Sequence, residues 1–342
     1  MKLAIDHFKD FYMSTKRLEQ AAQATKTAFV FPGQGSQKAG MLAELAEQFS
    51  VVQDTFAEAS AALGFDLWQI AQSGEGLDQT ENTQPVLLTA SIALWRVWLE
   101  LGGIAPKYLA GHSLGEYSAL VAAEAMTLAD AVKLVHLRGK LMQSAVPQGT
   151  GAMAAILGLA DEKVIELCQN ANASAAGQGS VEAANYNAQG QVVIAGSTAL
   201  VQQVMAEAKE QSGKAIALPV SVPSHCTLMK PAAEKFAEAL EQTAIELPCL
   251  PVIQNVNAEI ATDVAQLRQA LTAQLYQSVQ WTRTMQYLQD QGIQYVVECG
   301  PGTVLSNLAK RLPNIEKAFA IDSKARMEDA LNAVLVAEGK IA

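Results

Sequence analysis

The sequence predicts an α/β protein with a mostly parallel sheet, interrupted by a smaller inserted domain. Three observations lead there. Buried-strand runs end in glycine-containing turns and pass into helical periodicity, the grammar of parallel sheets covered by helices. Half of the 342 residues are apolar and 17% are charged, enough to bury a large core. Between residues 149 and 221 the order becomes β-α-β-β-α-β, which is the ferredoxin-like pattern. At about 150 residues per domain the length also fits roughly two domains. The boundaries read as an extension over 1–26, a large α/β domain from 27–148 and 222–342, and the small domain at 149–221.

Each element has its own signal. Residues 1–26 are amphipathic and charge-bearing, without a strand signal. Thr27-Ala28-Phe29-Val30-Phe31 is a buried strand that stops at Pro32-Gly33-Gln34-Gly35-Ser36. Helical spacing resumes near Met41 and runs through Phe49, Val52, Phe56, Ala59 and Leu63. A longer helix is expected over 84–101, ended by Gly102-Gly103. A short strand from Tyr108 meets the turn Gly111-His112-Ser113-Leu114-Gly115, another helix follows, and 130–142 is helical and carries Arg138. In the small domain, strands are expected at 152–159, 181–186, 191–195 and 215–220, with helices at 161–171 and 201–210. The Ala-, Gly- and Ser-rich stretch 172–179 reads as a loop.

Composition excludes several classes. With 24 Lys and Arg against 34 Asp and Glu the net charge is −10, so no basic field exists to attract nucleic acid. The most apolar stretch, 86–104, carries Arg96 and Glu100, which argues against a membrane span. Asp6, Lys9 and Asp10 interrupt any signal-peptide core. Cys168, Cys226, Cys249 and Cys299 form no C-x-x-C pair or metal-ligand spacing, so no metal is expected. The chain reads as reduced and cytoplasmic.

Gly111-His112-Ser113-Leu114-Gly115 fits the nucleophile-elbow pattern G-x-S-x-G. Its glycines permit a sharp strand-to-helix turn that lifts the Ser113 hydroxyl out of the sheet, and the following helix aims free N–H groups at the same place. Four histidines could serve as base. His7 lies in the extension, His112 would point away from the elbow, and His136 sits among apolar neighbours on a helix. His225 remains, in the polar turn Val222-Pro223-Ser224-His225-Cys226. No Asp occurs between Asp161 and Asp263, so a Ser–His dyad steadied by a backbone carbonyl is expected rather than a triad. Gly33-Gln34-Gly35-Ser36 reads equally as an ordinary βα turn or as a second oxyanion donor.

Together these residues resemble the malonyl-CoA:acyl-carrier-protein transacylases of bacterial fatty-acid synthesis. The resemblance rests on Phe31 to Gln37, Gly111 to Ala119, Arg138-Gly139-Lys140, Asn185 to Gly196, Pro223-Ser224-His225 through Met229-Lys230-Pro231, and Glu298-Cys299-Gly300-Pro301-Gly302. It covers residue 27 to the C-terminus; the extension departs from it. The resemblance implies a hydrolase-like α/β domain with a ferredoxin-like insert. It further implies an acylated Ser113, His225 as base, an oxyanion hole from the backbone N–H groups of Gln34 and Leu114, Arg138 on the malonyl carboxylate, and the main-chain carbonyl of Gln274 orienting the histidine. Malonyl-CoA and holo acyl-carrier protein would be the substrates, with no permanently bound cofactor. Lys310-Arg311 and Lys230 are candidate contacts for an acidic carrier. A serine thioesterase, and an acyltransferase serving a polyketide carrier, share much of this pattern.

Overall fold

The computed structural model describes residues 25–220 and 222–341. The expected extension therefore lies outside the described residues, except for Thr25 and Lys26, and so does His7. In chain order come β1 (Thr27–Phe31), helices Ala43–Gln48, Ser50–Leu63, Leu67–Ser73 and Thr80–Glu100, β2 (Tyr108–Gly111), and helices Gly115–Ala122 and Leu128–Ser144. Then follow β3 (Gly151–Leu157), helix Asp161–Ser174, β4 (Val181–Ala188), β5 (Gln191–Ser197), helix Thr198–Glu210 and β6 (Lys214–Ala217). The remainder holds helix Lys230–Gln242, β7 (Val252–Ile253), helices Val264–Ala273 and Trp281–Asp290, β8 (Tyr295–Glu298), helix Val304–Ala309, β9 (Lys317–Ala320) and helix Lys324–Ala337.

The first sheet has the order β7-β2-β1-β8-β9 and every pairing in it is parallel. All residues of β1 and β2 are buried, as expected where helices cover both faces. Phe29 meets Trp95 and Trp98 of the long helix edge-on, with ring centroids 5.3 and 5.0 Å away. That helix begins at Thr80, four residues before the expected start, and includes Pro85. Proline has no N–H for the Glu81 carbonyl, and His136 Nδ1–H supplies the missing donor at 2.8 Å. His136 is thus a structural histidine. β2 lies on one side of β1 and β8 on the other, so the loops leaving their carboxyl ends diverge around a crevice.

The second sheet is antiparallel with the order β4-β5-β3-β6, and with its two helices it has the ferredoxin-like arrangement. Strand alternation gives it two faces. Ala154, Ile156, Val192 and Ile194 pack under the sheet's own helices, whereas Met153, Val193 and Ala195 turn to Cys226 and the parallel domain. β4 is fastened to the loop before Trp281: Tyr186 N–H donates to Val279 O at 3.0 Å, Val279 N–H to Ala184 O at 2.9 Å, and Ser278 Oγ to Ala183 O at 2.6 Å.

Several boundaries differ from expectation. The stretch from Met41 to Leu63 is two helices, because Phe49 adopts an extended backbone between them. Helix Asp161–Ser174 runs into the expected loop, carried by alanines that favour helix. β6 ends at Ala217 instead of continuing to 220; Leu218 N–H still donates to Met153 O of β3 at 2.9 Å, and beyond it the chain turns off the sheet, with Leu218 and Val220 lining the cleft.

Candidate active site

Loops at the carboxyl ends of β1, β2 and β8 and the open face of the small sheet enclose a cavity of about 300 Å³. Ser113 projects into it from the tight turn after β2, with its φ at 54° in the left-handed region. The flanking glycines are required by close approach. A Cβ on Gly111 would lie 1.8 Å from the Gly115 carbonyl carbon, and one on Gly115 would lie 2.0 Å from Phe31 O. Asn255 clamps the turn: Ser113 N–H donates to Asn255 Oδ1 at 2.7 Å, and Asn255 Nδ2 donates to Gly111 O at 2.6 Å. The strained backbone at Ser113 is thus held by the packing around it.

His225 arrives from the turn after the small domain, also left-handed with φ at 62°. Its backbone N–H donates to Leu275 O at 3.0 Å, and its Nδ1 lies 2.6 Å from Gln274 O. A carbonyl only accepts, so Nδ1 carries the hydrogen and Nε2 is left as the acceptor. Nε2 lies 2.7 Å from Ser113 Oγ, the geometry of a serine donating to its base. A main-chain carbonyl thus stands where a triad would place an acid. Burial, assisted by the nearby Arg138 charge, pushes the His225 pKa down to about 3. The imidazole is therefore neutral and able to accept a proton throughout the neutral range.

Arg138 reaches the same cavity from helix Leu128–Ser144 and is only 1% exposed. NH1 donates to Gln84 Oε1 and NH2 to Gln274 Oε1, both at 2.9 Å, and NH2 lies 3.4 Å from Ser113 Oγ. No carboxylate lies within ion-pair distance of this guanidinium among the described residues. Burial lowers its pKa, which marks a cation held at some cost. Gln34 and Leu114 line the cavity beside Ser113. Among the described residues neither of their backbone N–H groups donates to a protein acceptor, so both are available to an oxyanion.

The structure thus brings Ser113, His225, Arg138, Gln34, Leu114 and the Gln274 carbonyl to one place. His112 turns toward the small sheet, where Nε2–H donates to Asn187 Oδ1 at 2.8 Å and the ring packs on Trp281. His112 is also among the residues that line the cavity. Of the docking candidates, Arg311 NH1 donates to Gln191 Oε1 of the cavity wall at 3.1 Å. Lys230 instead lies over the Tyr276 ring, 5.8 Å from its centroid. Sequence reasoning missed Gln84, Asn255, Glu116 and the side chain of Gln274. Only Glu116 carried a local signal, as an acid one helical turn after Ser113. Among the described residues no cluster of three or more His, Cys, Asp or Glu could hold a metal, and no helix is long and apolar enough to cross a membrane.

Comparison with known proteins places this geometry in context. Residues 28–327 match the family model described as acyl transferase domain. The malonyl CoA-acyl carrier protein transacylase of Salmonella typhimurium is 52% identical over 310 residues, 90% of this chain and 99% of the relative. The protein of the same name from Escherichia coli K12 matches at the same identity and coverage. The crystal structure of FabD from Acinetobacter baumannii is 89% identical and superimposes with a TM-score of 0.90, covering 92% of this chain and 99% of that one. A malonyl-transacylase solved in complex with a type II PKS acyl-carrier protein is 49% identical, with a TM-score of 0.87 over 90% of this chain and 99% of its own.

Proposed function

The chain belongs to the acyl transferase domain family, and from that premise we propose that it moves malonyl from malonyl-CoA to the phosphopantetheine thiol of holo acyl-carrier protein. It is an acyltransferase of type II fatty-acid synthesis, and the Salmonella typhimurium and Escherichia coli K12 relatives, each 52% identical, carry the transacylase name. The observation that carries the reading is the convergence of Ser113, a neutral His225 and a buried Arg138 without a carboxylate partner in one cavity.

The cycle follows from the geometry. Ser113 Oγ attacks the thioester carbonyl carbon while its proton passes to His225 Nε2. The oxyanion takes the N–H groups of Gln34 and Leu114, and the positive end of helix Gly115–Ala122 adds to them. Collapse breaks the C–S bond, and the imidazolium returns its proton to the departing thiolate. The carrier's thiol then gives its proton to His225 and attacks the malonyl-serine ester; collapse breaks the acyl–Oγ bond, the imidazolium returns its proton to Ser113 Oγ, and the ping-pong cycle is complete. The Gln274 carbonyl holds the imidazole in the tautomer both halves require. Malonyl-CoA is a substrate here, and side chains and backbone of this chain carry every step.

Arg138 supplies selection. A malonyl carboxylate provides the partner that the buried guanidinium lacks, and a bidentate fork is the geometry it offers. An acetyl group leaves those donors unmatched, at about 1.5–3 kcal/mol per charged hydrogen bond, or roughly tenfold to a hundredfold in rate. Arg311 at the cavity rim, with Lys310 beside it, gives an acidic carrier a local basic contact on a chain of net charge −10.

Intact mass after brief mixing with malonyl-CoA tests the reading. A malonyl adduct is expected on the wild type and none on Ser113→Ala, and holo carrier protein should discharge the adduct. Steady release of free malonate without any adduct would make the protein a thioesterase.

A further inference from the structure

Glu116 is the buried carboxyl group that the cycle above does not use. It lies one turn after Ser113 on helix Gly115–Ala122 and is fully inaccessible to solvent. Its Oε2 accepts from Gln274 Nε2 at 2.7 Å and from Asn255 N–H at 3.1 Å. Its Oε1 has no hydrogen-bond partner. A carboxyl group buried with one oxygen unmatched is costly, so its placement calls for a physical reason.

The reason lies in the amide that Glu116 holds. Gln274 is itself fully buried and faces three ways. Nε2 donates to Glu116 Oε2 and, at 3.0 Å, to Ser113 O, while Oε1 accepts from Arg138 NH2 at 2.9 Å. A primary amide is nearly symmetric in shape, so packing alone does not choose between its two orientations. Turned over, it would set its NH₂ against the donors of Arg138 and its oxygen against two acceptors. Glu116 Oε2 supplies the shorter of the two acceptors that hold Nε2 away from Arg138, and Ser113 O the other. We propose that Glu116 is a positioning residue for malonyl recognition, acting through the Gln274 amide to hold Arg138 beside Ser113 with N–H groups left over for a carboxylate. This inference rests on the assignment of Arg138 to the malonyl carboxylate.

The arrangement sets the carboxyl group one amide away from the guanidinium. A carboxylate touching Arg138 directly would occupy the fork and compete with substrate. One amide away, the same carboxyl group still steadies the guanidinium, and each of the two groups favours the charged form of the other. Gln84 holds the other terminal nitrogen by an amide oxygen as well, so both fixed contacts to Arg138 are neutral.

The test is the ratio of malonyl to acetyl acylation rates of Ser113, measured by rapid-quench intact mass on full-length protein. A ratio taken on one preparation does not depend on how much of the protein is folded. Glu116→Ala removes the acceptor, Glu116→Asp withdraws it by one methylene, and Glu116→Gln keeps an oxygen for Gln274. Ala and Asp should each lower the ratio about tenfold or more, and Gln should hold it within about threefold. If Glu116→Ala yields no soluble protein, Asp against Gln decides. Parallel losses for both substrates in the Asp and Ala variants would overturn the inference, as would a Gln variant as impaired as Asp. Arg138→Ala separates the premise: a ratio unmoved there overturns the assignment of Arg138, whereas a ratio that falls there but not in the Glu116 variants overturns the role of Glu116 alone.

Discussion

The two sheets contribute to one cavity by different physics. The parallel sheet is buried on both faces and delivers chemistry at strand ends, where β1 and β2 run out into tight loops. Its domain holds both Ser113 and His225 in left-handed backbone conformations, strain that only dense surroundings sustain. The antiparallel sheet has alternating burial along β3, and its last strand, β6, is largely exposed. It gives the site a wall, through Met153 and Val193 on the face away from its helices. The first sheet's domain fixes the reacting atoms through short hydrogen bonds; the second shapes the space those atoms face. Damage to the first should therefore abolish turnover, and damage to the second should tune binding.

The largest effect should come from the nucleophile and its base. Ser113→Ala should abolish the acyl-enzyme, and His225→Ala should slow acylation by about 10⁴-fold or more, with little change in thermal unfolding. Burst amplitude and melting temperature measured together check this. Gly111→Ala is the complementary test of the elbow. Its Cβ would sit 1.8 Å from backbone, so the protein should lose its fold rather than just its activity, seen as loss of the cooperative melt.

Two buried titrating groups, each bonded to a different part of Gln274, sharpen the contrast within the parallel domain. His225 is held near 3, below its ordinary value of 6.5, by burial and then by Arg138. The unfolded chain therefore binds a proton that the native state refuses, and stability contributed by neutral His225 is lost as pH falls from about 6.5 toward 3. Glu116 is pushed up to about 7 from 4.5 by burial. Its native state keeps a proton the unfolded chain gives up, so its contribution is present at low pH and is lost as pH rises from about 4.5 to 7. Hence the melting temperature of Glu116→Gln should rise relative to wild type as pH goes from about 4.5 to about 7, and the difference should level off above that. The pH profile of acylation kcat/KM should show no limb near 6.5. An acid limb at 6.5 would mean that the imidazole is solvated, and the close packing around the dyad would not hold in solution.

How much of this was legible in the sequence follows the range of the interactions. Thr27–Phe31 was readable to the residue because a run of buried apolar residues ends at Pro32. The ferredoxin-like order was readable because alternation and turns are local signals. Ser113 announced itself by its glycines, and His225 by elimination among four histidines. Arg138 was legible only through resemblance, since an arginine on a helix carries no mark of burial. Asn255 and Gln84 were not legible at all. Asn255 meets Ser113 across 142 residues of chain, and Gln84 meets Arg138 across 54. The overestimate of β6 has a similar origin, because the apolar residues Leu218 and Val220 were read as sheet when they serve the cavity.

The smallest effects should arise where the second sheet meets the first. Asn187 accepts from His112, beside the nucleophile, and is one of the polar links that seat the small sheet over the cavity. Backbone pairing of β4 with Val279 carries most of that seating, so Asn187→Ala removes one hydrogen bond among several. Its cost should be about 1 kcal/mol, or roughly fivefold in KM for malonyl-CoA with kcat nearly unchanged. Met153→Ala should act in the same direction, by loosening the wall without touching the dyad. Steady-state kinetics on both variants decide the matter. A fall in kcat with unchanged KM would mean that the small sheet helps align Ser113 itself, through His112, and the division between aligning and shaping would have to be redrawn at that residue.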